Sequence, residues 1–247
     1  MSGFDIDLVA YFALFLAATF AAALIAGLAG FAFGLVAAAV WLHILTPLQT
    51  ATLIIAFGLI VQGYSVWKFR AALNWQRLWP FLLGAALGVP IGVSALEWAN
   101  PAHLRKAIGA VLALYSIYGL ARPKLQPVKA GGATADAAVG FLNGVLGAMT
   151  GFAGVLVTVW CGLRGWPKDL QRATFQPVGV ATFAMSAIWL GGSGSVSADT
   201  IKLFLIGLPV LLAGTWMGVR LYGRLNEPQF RNVVLLLLLI SGVALLF

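Results

Sequence analysis

Residues 8–67 read LVAYFALFLAATFAAALIAGLAGFAFGLVAAAVWLHILTPLQTATLIIAFGLIVQGYSVW and contain no Lys, Arg, Asp or Glu. A run of about 18 or more apolar residues reads as a membrane-spanning helix, and this stretch has room for more than one. Further charge-free runs occupy Leu78–Leu96, Ala107–Ala121, Ala137–Leu163, Ala173–Ala198, Leu203–Val219 and Asn232–Phe247. Hydrophobic residues make up 62% of the 247-residue chain and charged residues 9%, against roughly 45–50% and about 25% in soluble domains. There is too little charge to cover a water-facing surface. The sequence predicts an all-α polytopic membrane protein.

The net charge of +8 is therefore no nucleic-acid footprint, because basic residues of membrane proteins gather in cytoplasmic loops. Met1 to Asp7 carries two acids and no base, so it lacks the basic start of a cleaved signal peptide. The first apolar segment is expected to be retained. With Cys161 the sole cysteine and His43 and His103 the only histidines, no internal disulfide, metal centre or other cofactor is expected. Asp136, Asp169 and Glu97 lie near segment ends, so no carboxylate is placed as a proton relay within the membrane. Trp41, Trp67, Trp75, Trp79, Trp98, Trp160, Trp166 and Trp189 read as an interfacial aromatic belt.

Glycine, proline and charge divide the chain into ten helical segments, near 8–28, 31–46, 48–67, 77–96, 103–121, 135–149, 152–164, 170–191, 200–220 and 230–247. Thr46-Pro47 predicts an N-cap followed by proline at the first helical position. Residues 122–134 form the linker between a first repeat, 1–121, and a second, 135–247. The repeats share an ordered series of features. Gly30-Phe31 precedes a short helix and then Pro47-Leu48-Gln49-Thr50-Ala51-Thr52; Gly151-Phe152 precedes another and then Pro167 through Gln171-Arg172-Ala173-Thr174. Gly88-Val89-Pro90-Ile91-Gly92-Val93 is matched by Gly214-Thr215-Trp216-Met217-Gly218-Val219.

Five segments per repeat is an odd number, so the second repeat enters the membrane inverted. With both termini outside, Lys68, Arg70, Arg77, Arg122, Lys124, Lys129, Arg164, Lys168, Arg172, Arg220, Arg224 and Arg231 all fall inside. Only Arg105, Lys106 and Lys202 fall outside. If the first two segments of each repeat were instead one crossing, the repeats would be parallel and the basic residues would divide almost evenly. The positive-inside rule selects the inverted arrangement. Segments 31–46 and 152–164 reach only roughly 24 and 20 Å, short of a hydrocarbon core of about 30 Å. Each reads either as the returning arm of a hairpin whose tip lies within the membrane or as a short crossing; the two have the same parity, so the charge count does not separate them.

The tips carry the functional expectation. Gly30, Phe31 and Gly34 in the first repeat, and Thr150, Gly151, Phe152 and Gly154 in the second, surround a backbone break that opens a new helix. A helix start presents unpaired N–H groups and the positive end of the dipole, so two such starts meeting from opposite sides make an anion site. Gln49 and Thr52, with Gln171, Arg172 and Thr174, are polar groups early in equivalent helices and complete the candidate substrate-binding set. Arg172 also reads as an ordinary cytoplasmic basic residue. Gly84, Gly88 and Gly92 read as a face for close helix packing.

These features resemble the sulfite exporter TauE/SafE family of anion permeases. The resemblance rests on the duplicated glycine break, the following Pro-x-Gln-x-Ala-Thr type segment, and Lys68-Phe69-Arg70 through Asn74-Trp75 leading into Gly88-Val89-Pro90-Ile91-Gly92. It implies transport, often export, of small sulfur oxyanions or organosulfonates across a bacterial inner membrane. The family commonly carries a triple glycine at each break; here Phe31, Phe33 and Phe152 intervene and would narrow or gate the site. The expected partners are a small anionic substrate and the lipid bilayer; a homo-oligomer is compatible with the sequence, nucleic acid is not. The competing reading, a membrane-embedded enzyme or assembly factor for a sulfur compound, needs facing reactive groups. One cysteine, two histidines and no clustered carboxylates do not supply them.

Overall fold

The computed structural model describes residues 3–95, 101–121, 127–128, 130–191 and 197–246. Glu97, Trp98, Arg122, Lys124 and Lys129 lie outside these residues, as do the side chains of Thr150, His103 and Arg105. The described residues form ten α-helices: α1 Gly3–Ala29, α2 Phe33–Trp41, α3 Pro47–Lys68, α4 Trp75–Ala95, α5 Pro101–Ala121, α6 Gly132–Thr150, α7 Val155–Leu163, α8 Lys168–Gly191, α9 Ala198–Tyr222 and α10 Glu227–Leu246. A short 3-10 turn, Arg70–Ala72, follows α3. By length and composition five of them are suited to cross a membrane, over Val9–Ala29, Leu48–Lys68, Trp75–Ala95, Ala198–Tyr222 and Glu227–Ala244.

Helix pairing repeats between the two halves. α1 packs on α9, and its counterpart α6 packs on α4; α3 touches α9 as α8 touches α4; α2 sits against α1 and α3 as α7 sits against α6 and α8. Two further pairs, α3 with α8 and α5 with α10, join equivalent helices across the pseudo-twofold. Their direction identifies the axis. Gly58 meets Phe183 while Gln62 meets Gly179, so α3 and α8 are antiparallel. Gly119 meets Leu235 while Ala113 meets Gly242, so α5 and α10 are antiparallel too. Parallel repeats would make both pairs parallel. The inverted arrangement makes them antiparallel, as found.

The hetero-repeat pairs run in the same direction and are drawn together by small residues. A β-carbon at Gly88 would stand 2.2 Å from the Phe141 carbonyl oxygen, and one at Gly218 2.2 Å from that of Leu24. Gly84 and Gly92 approach α6 in the same way. Such contact is backbone against backbone, the small-residue packing that replaces the hydrophobic effect between helices in lipid. The opposite face of α4 presents Trp75, Trp79, Leu83, Leu87 and Ile91 outward, each 49–69% exposed, and reads as surface for lipid.

Basic side chains also close helix ends. The Arg172 guanidinium donates to the carbonyls of Gly27 and Leu28 at the end of α1. Lys168 donates to the Leu225 carbonyl just past α9, and Arg231 to Gly119 of α5 at 2.6 Å. Arg172 and Arg231 satisfy acceptors that a helix C-terminus leaves unpaired, and all three place positive charge near the negative end of a helix dipole. Basic side chains thus terminate α1 and α5, and Lys168 holds the turn that follows α9.

Trp41 departs from the interfacial belt expected of it. It is fully buried and stacks on Phe15 at 5.3 Å, with Phe33 and Phe57 about it at 5.9 and 6.0 Å. Its side chain turns inward from the last residue of α2, whereas Leu42 and His43, the next two residues, are exposed.

Candidate functional site

Each half is interrupted where glycine was expected to break it. α1 ends at Ala29; Gly30 (φ +89°) and Ala32 (φ +73°) then take left-handed backbone and α2 begins at Phe33. α6 ends at Thr150; Gly151 (φ +74°) and Gly154 (φ +92°) do the same, and α7 begins at Val155. Only glycine adopts these angles without strain, and the alanine at 32 carries a cost of about 1–2 kcal/mol. At nine residues each, α2 and α7 are roughly 14 Å long and neither spans a bilayer.

The two breaks meet. A β-carbon at Gly34 would stand 3.3 Å from the Gly151 carbonyl oxygen. Between them lies a cavity of about 10 Å³, lined by Ala32, Phe33, Gly34 and Leu35 from the first break and by Gly151, Phe152, Ala153 and Val155 from the second. Gln62 of α3 and Phe183 of α8 complete its wall. That volume holds about one water, so a polyatomic anion enters only if the breaks separate. Neither short helix has a side-chain N-cap. At α7 the Gly154 N–H is instead taken by Asn143 from α6 and the Val155 N–H by the Phe152 carbonyl at 3.5 Å, so what both starts offer the cavity is chiefly the positive end of the helix dipole.

Amides from the long helices hold the breaks in shape. Gln176 of α8 donates its Nε2 to the Gly30 carbonyl at 3.4 Å. Asn143 of α6 accepts from the Gly154 N–H at 3.0 Å and donates to Thr182 Oγ1 at 3.5 Å. Gln62 differs from both. It is 5% exposed, faces the cavity, and its amide has no hydrogen-bond partner among the described residues. Gly179 of α8 makes room for it, since a β-carbon there would stand 2.0 Å from Gln62 Oε1.

Of the residues expected at the site, Gly34, Gly151 and Phe152 line the cavity, and Gly30, Phe31 and Gly154 lie in the same two breaks. Phe31 is buried edge-on to Phe175, ring centres 6.2 Å apart. The polar residues of the following helices are engaged elsewhere. Gln49 and Thr46 form a reciprocal capping box at the start of α3. Thr52 donates to the Leu48 carbonyl, Thr174 to that of Leu170, and Gln171 to that of Trp166. Arg172 is neither solvated nor turned to the cavity. It is fully buried on the end of α1, with the Tyr222 and Phe69 rings 4.2 and 4.8 Å from its guanidinium carbon. Sequence reading passed over Gln62 and Asn143; the available signal was a lone amide inside an otherwise apolar run.

A family model described as Sulfite exporter TauE/SafE matches residues 14–245. No curated protein and no solved structure matches the chain.

Proposed function

The chain belongs to the sulfite exporter TauE/SafE family, and from that premise we propose that it exports small sulfur-containing anions, sulfite or organosulfonates, through the cavity between its two breaks. The family itself is one of membrane transporters of sulfite-type anions; the route and the direction are this reading's own. One observation carries it. Two helix starts, contributed by oppositely inserted repeats, line a single cavity. Their dipoles favour an anion there, and inverted-repeat transporters build midplane sites from broken helices.

The accompanying arrangement is a transporter rather than an enzyme, in a cell inner membrane with both termini outside. Residues 1–121 and 135–247 form the repeats, joined by a cytoplasmic linker at 122–134. Separation of α2 from α7 on one side at a time would expose the cavity alternately. Proteoliposomes holding the purified protein test the reading through labelled sulfite flux, with protein-free vesicles as reference. The expected result is protein-dependent flux that falls at least tenfold in Gly34→Leu or Gly151→Leu variants that still fold. Flux equal to that of protein-free vesicles would defeat the reading.

A further inference from the structure

The cavity walls contain backbone, apolar side chains and one amide, and no Lys, Arg or His among the described residues lining them. Resting on the transporter reading above, we infer that this site takes singly charged oxyanions, hydrogensulfite and sulfonates among them, and excludes dianions of the same size.

The argument is a charge balance. Each helix N-terminus acts as about half a positive charge, so α2 and α7 together offer about one. A monoanion is matched. A dianion leaves one negative charge uncompensated in a buried site, which is strongly unfavourable. A nearby cation would relax this limit, and Arg172 is the buried one. Its guanidinium, however, is committed to the Gly27 and Leu28 carbonyls and to the Tyr222 ring. There it neutralises the negative end of α1, which would otherwise oppose the positive start of α2 a few residues later.

Gln62 is the second, independent sign of a ligand. It is 5% exposed and lines the cavity wall, and no hydrogen bond to another described residue holds its amide, which leaves that amide free to meet a ligand. Its NH₂ can donate to an oxyanion, and its carbonyl can accept from the hydroxyl of a protonated one. The amide thus adds a donor for any oxyanion but no charge, so it does not offset a second negative charge.

The test uses the full chain in proteoliposomes at fixed pH, with labelled sulfite as the transported species. Methanesulfonate, a permanent monoanion, and sulfate, a permanent dianion of similar size, serve as competitors at equal concentration. The expected result is strong competition by methanesulfonate and none by sulfate, with one net charge moved per sulfite under a clamped potential. Gln62→Lys should bring sulfate into competition, improving it about tenfold relative to methanesulfonate, and Gln62→Leu should weaken competition by methanesulfonate. Sulfate competing as well as methanesulfonate in the unmodified protein, or two charges per sulfite, would overturn the inference while leaving sulfite transport intact. No protein-dependent sulfite flux at all would overturn the transporter reading instead.

Discussion

Gln62 and Gly179 form a fitted pair across the antiparallel α3–α8 contact: the amide oxygen occupies the space that a β-carbon on residue 179 would claim. The atom displaced by such a carbon is the far end of a flexible side chain, so the helices need not part.

Gly179→Ala should therefore fold and yet push the Gln62 amide away from the cavity. A hydrogen bond to a charged ligand contributes about 1.5–3 kcal/mol, so substrate affinity should fall roughly 10- to 100-fold. Binding or transport titration on variant protein with an unchanged melting temperature checks this. Unaltered affinity would remove Gln62 from the site.

Gly88→Ala should behave in the opposite way. Its new carbon meets the Phe141 backbone carbonyl at 2.2 Å, and no side chain can rotate out of the way. Overpacking of this kind costs roughly 1–3 kcal/mol, so thermal unfolding in detergent should shift downward with loss of monodisperse protein. A melting temperature at or above the parent's would mean that α4 and α6 are less closely packed.

Arg172→Lys should destabilise the protein without changing which anions it takes. A lysine supplies a point charge where a planar fork now reaches two carbonyls, and each buried acceptor left unpaired costs about 1–3 kcal/mol. Lower thermal stability with an unchanged competitor profile is the expected pair of results. A changed profile at full stability would move Arg172 into the substrate site.

Native Cys161 is buried, so engineered cysteines report topology with little background. Lys202→Cys should react with membrane-impermeant thiol reagents in intact cells, whereas Lys68→Cys and Arg224→Cys should not. Labelling of both of the latter from outside would reverse the orientation.

Flux should follow membrane voltage in vesicles without a pH or sodium gradient, because no Asp or Glu among the described residues lines the cavity. Each exported negative charge gains about 2.3 kcal/mol per 100 mV, roughly a 50-fold concentration ratio for a monoanion. Flux indifferent to voltage and dependent on an ion gradient would contradict this.

Much of the architecture was legible because it rests on periodic, local signals. Ten segments were expected and ten helices are present among the described residues, and the distribution of basic residues gave the inversion that the antiparallel α3–α8 and α5–α10 pairs display. Boundaries shifted where backbone angles intervene. The segment expected at 31–46 begins at Phe33, because Ala32 takes a left-handed turn that alanine does not advertise, and it ends at Trp41. The one expected at 152–164 starts at Val155, after Gly154. Side-chain roles were less legible. An arginine early in a helix reads the same whether solvated or buried, and what buries Arg172 is the end of a helix 144 residues earlier. Gln49 shows the converse, since its partner Thr46 is three residues away and Thr46-Pro47 already marked the cap.

The pairing of α1 with α9 also sets an order on biogenesis. About 170 residues separate the end of α1 from the start of α9, which at about 5–20 residues per second takes the ribosome roughly 10–30 s to make. Throughout that interval the face of α1 that will meet Gly214 and Gly218 of α9 lacks that partner, and Gly27 stands open to lipid or to the insertion machinery. α4 waits only for α6, the second helix after it. The second repeat can thus begin assembling on the first as it emerges, while the N-terminal helix waits for α9 and α5 waits for α10. Newly made chains truncated before Ala198 should accordingly be the ones that quality-control proteases remove.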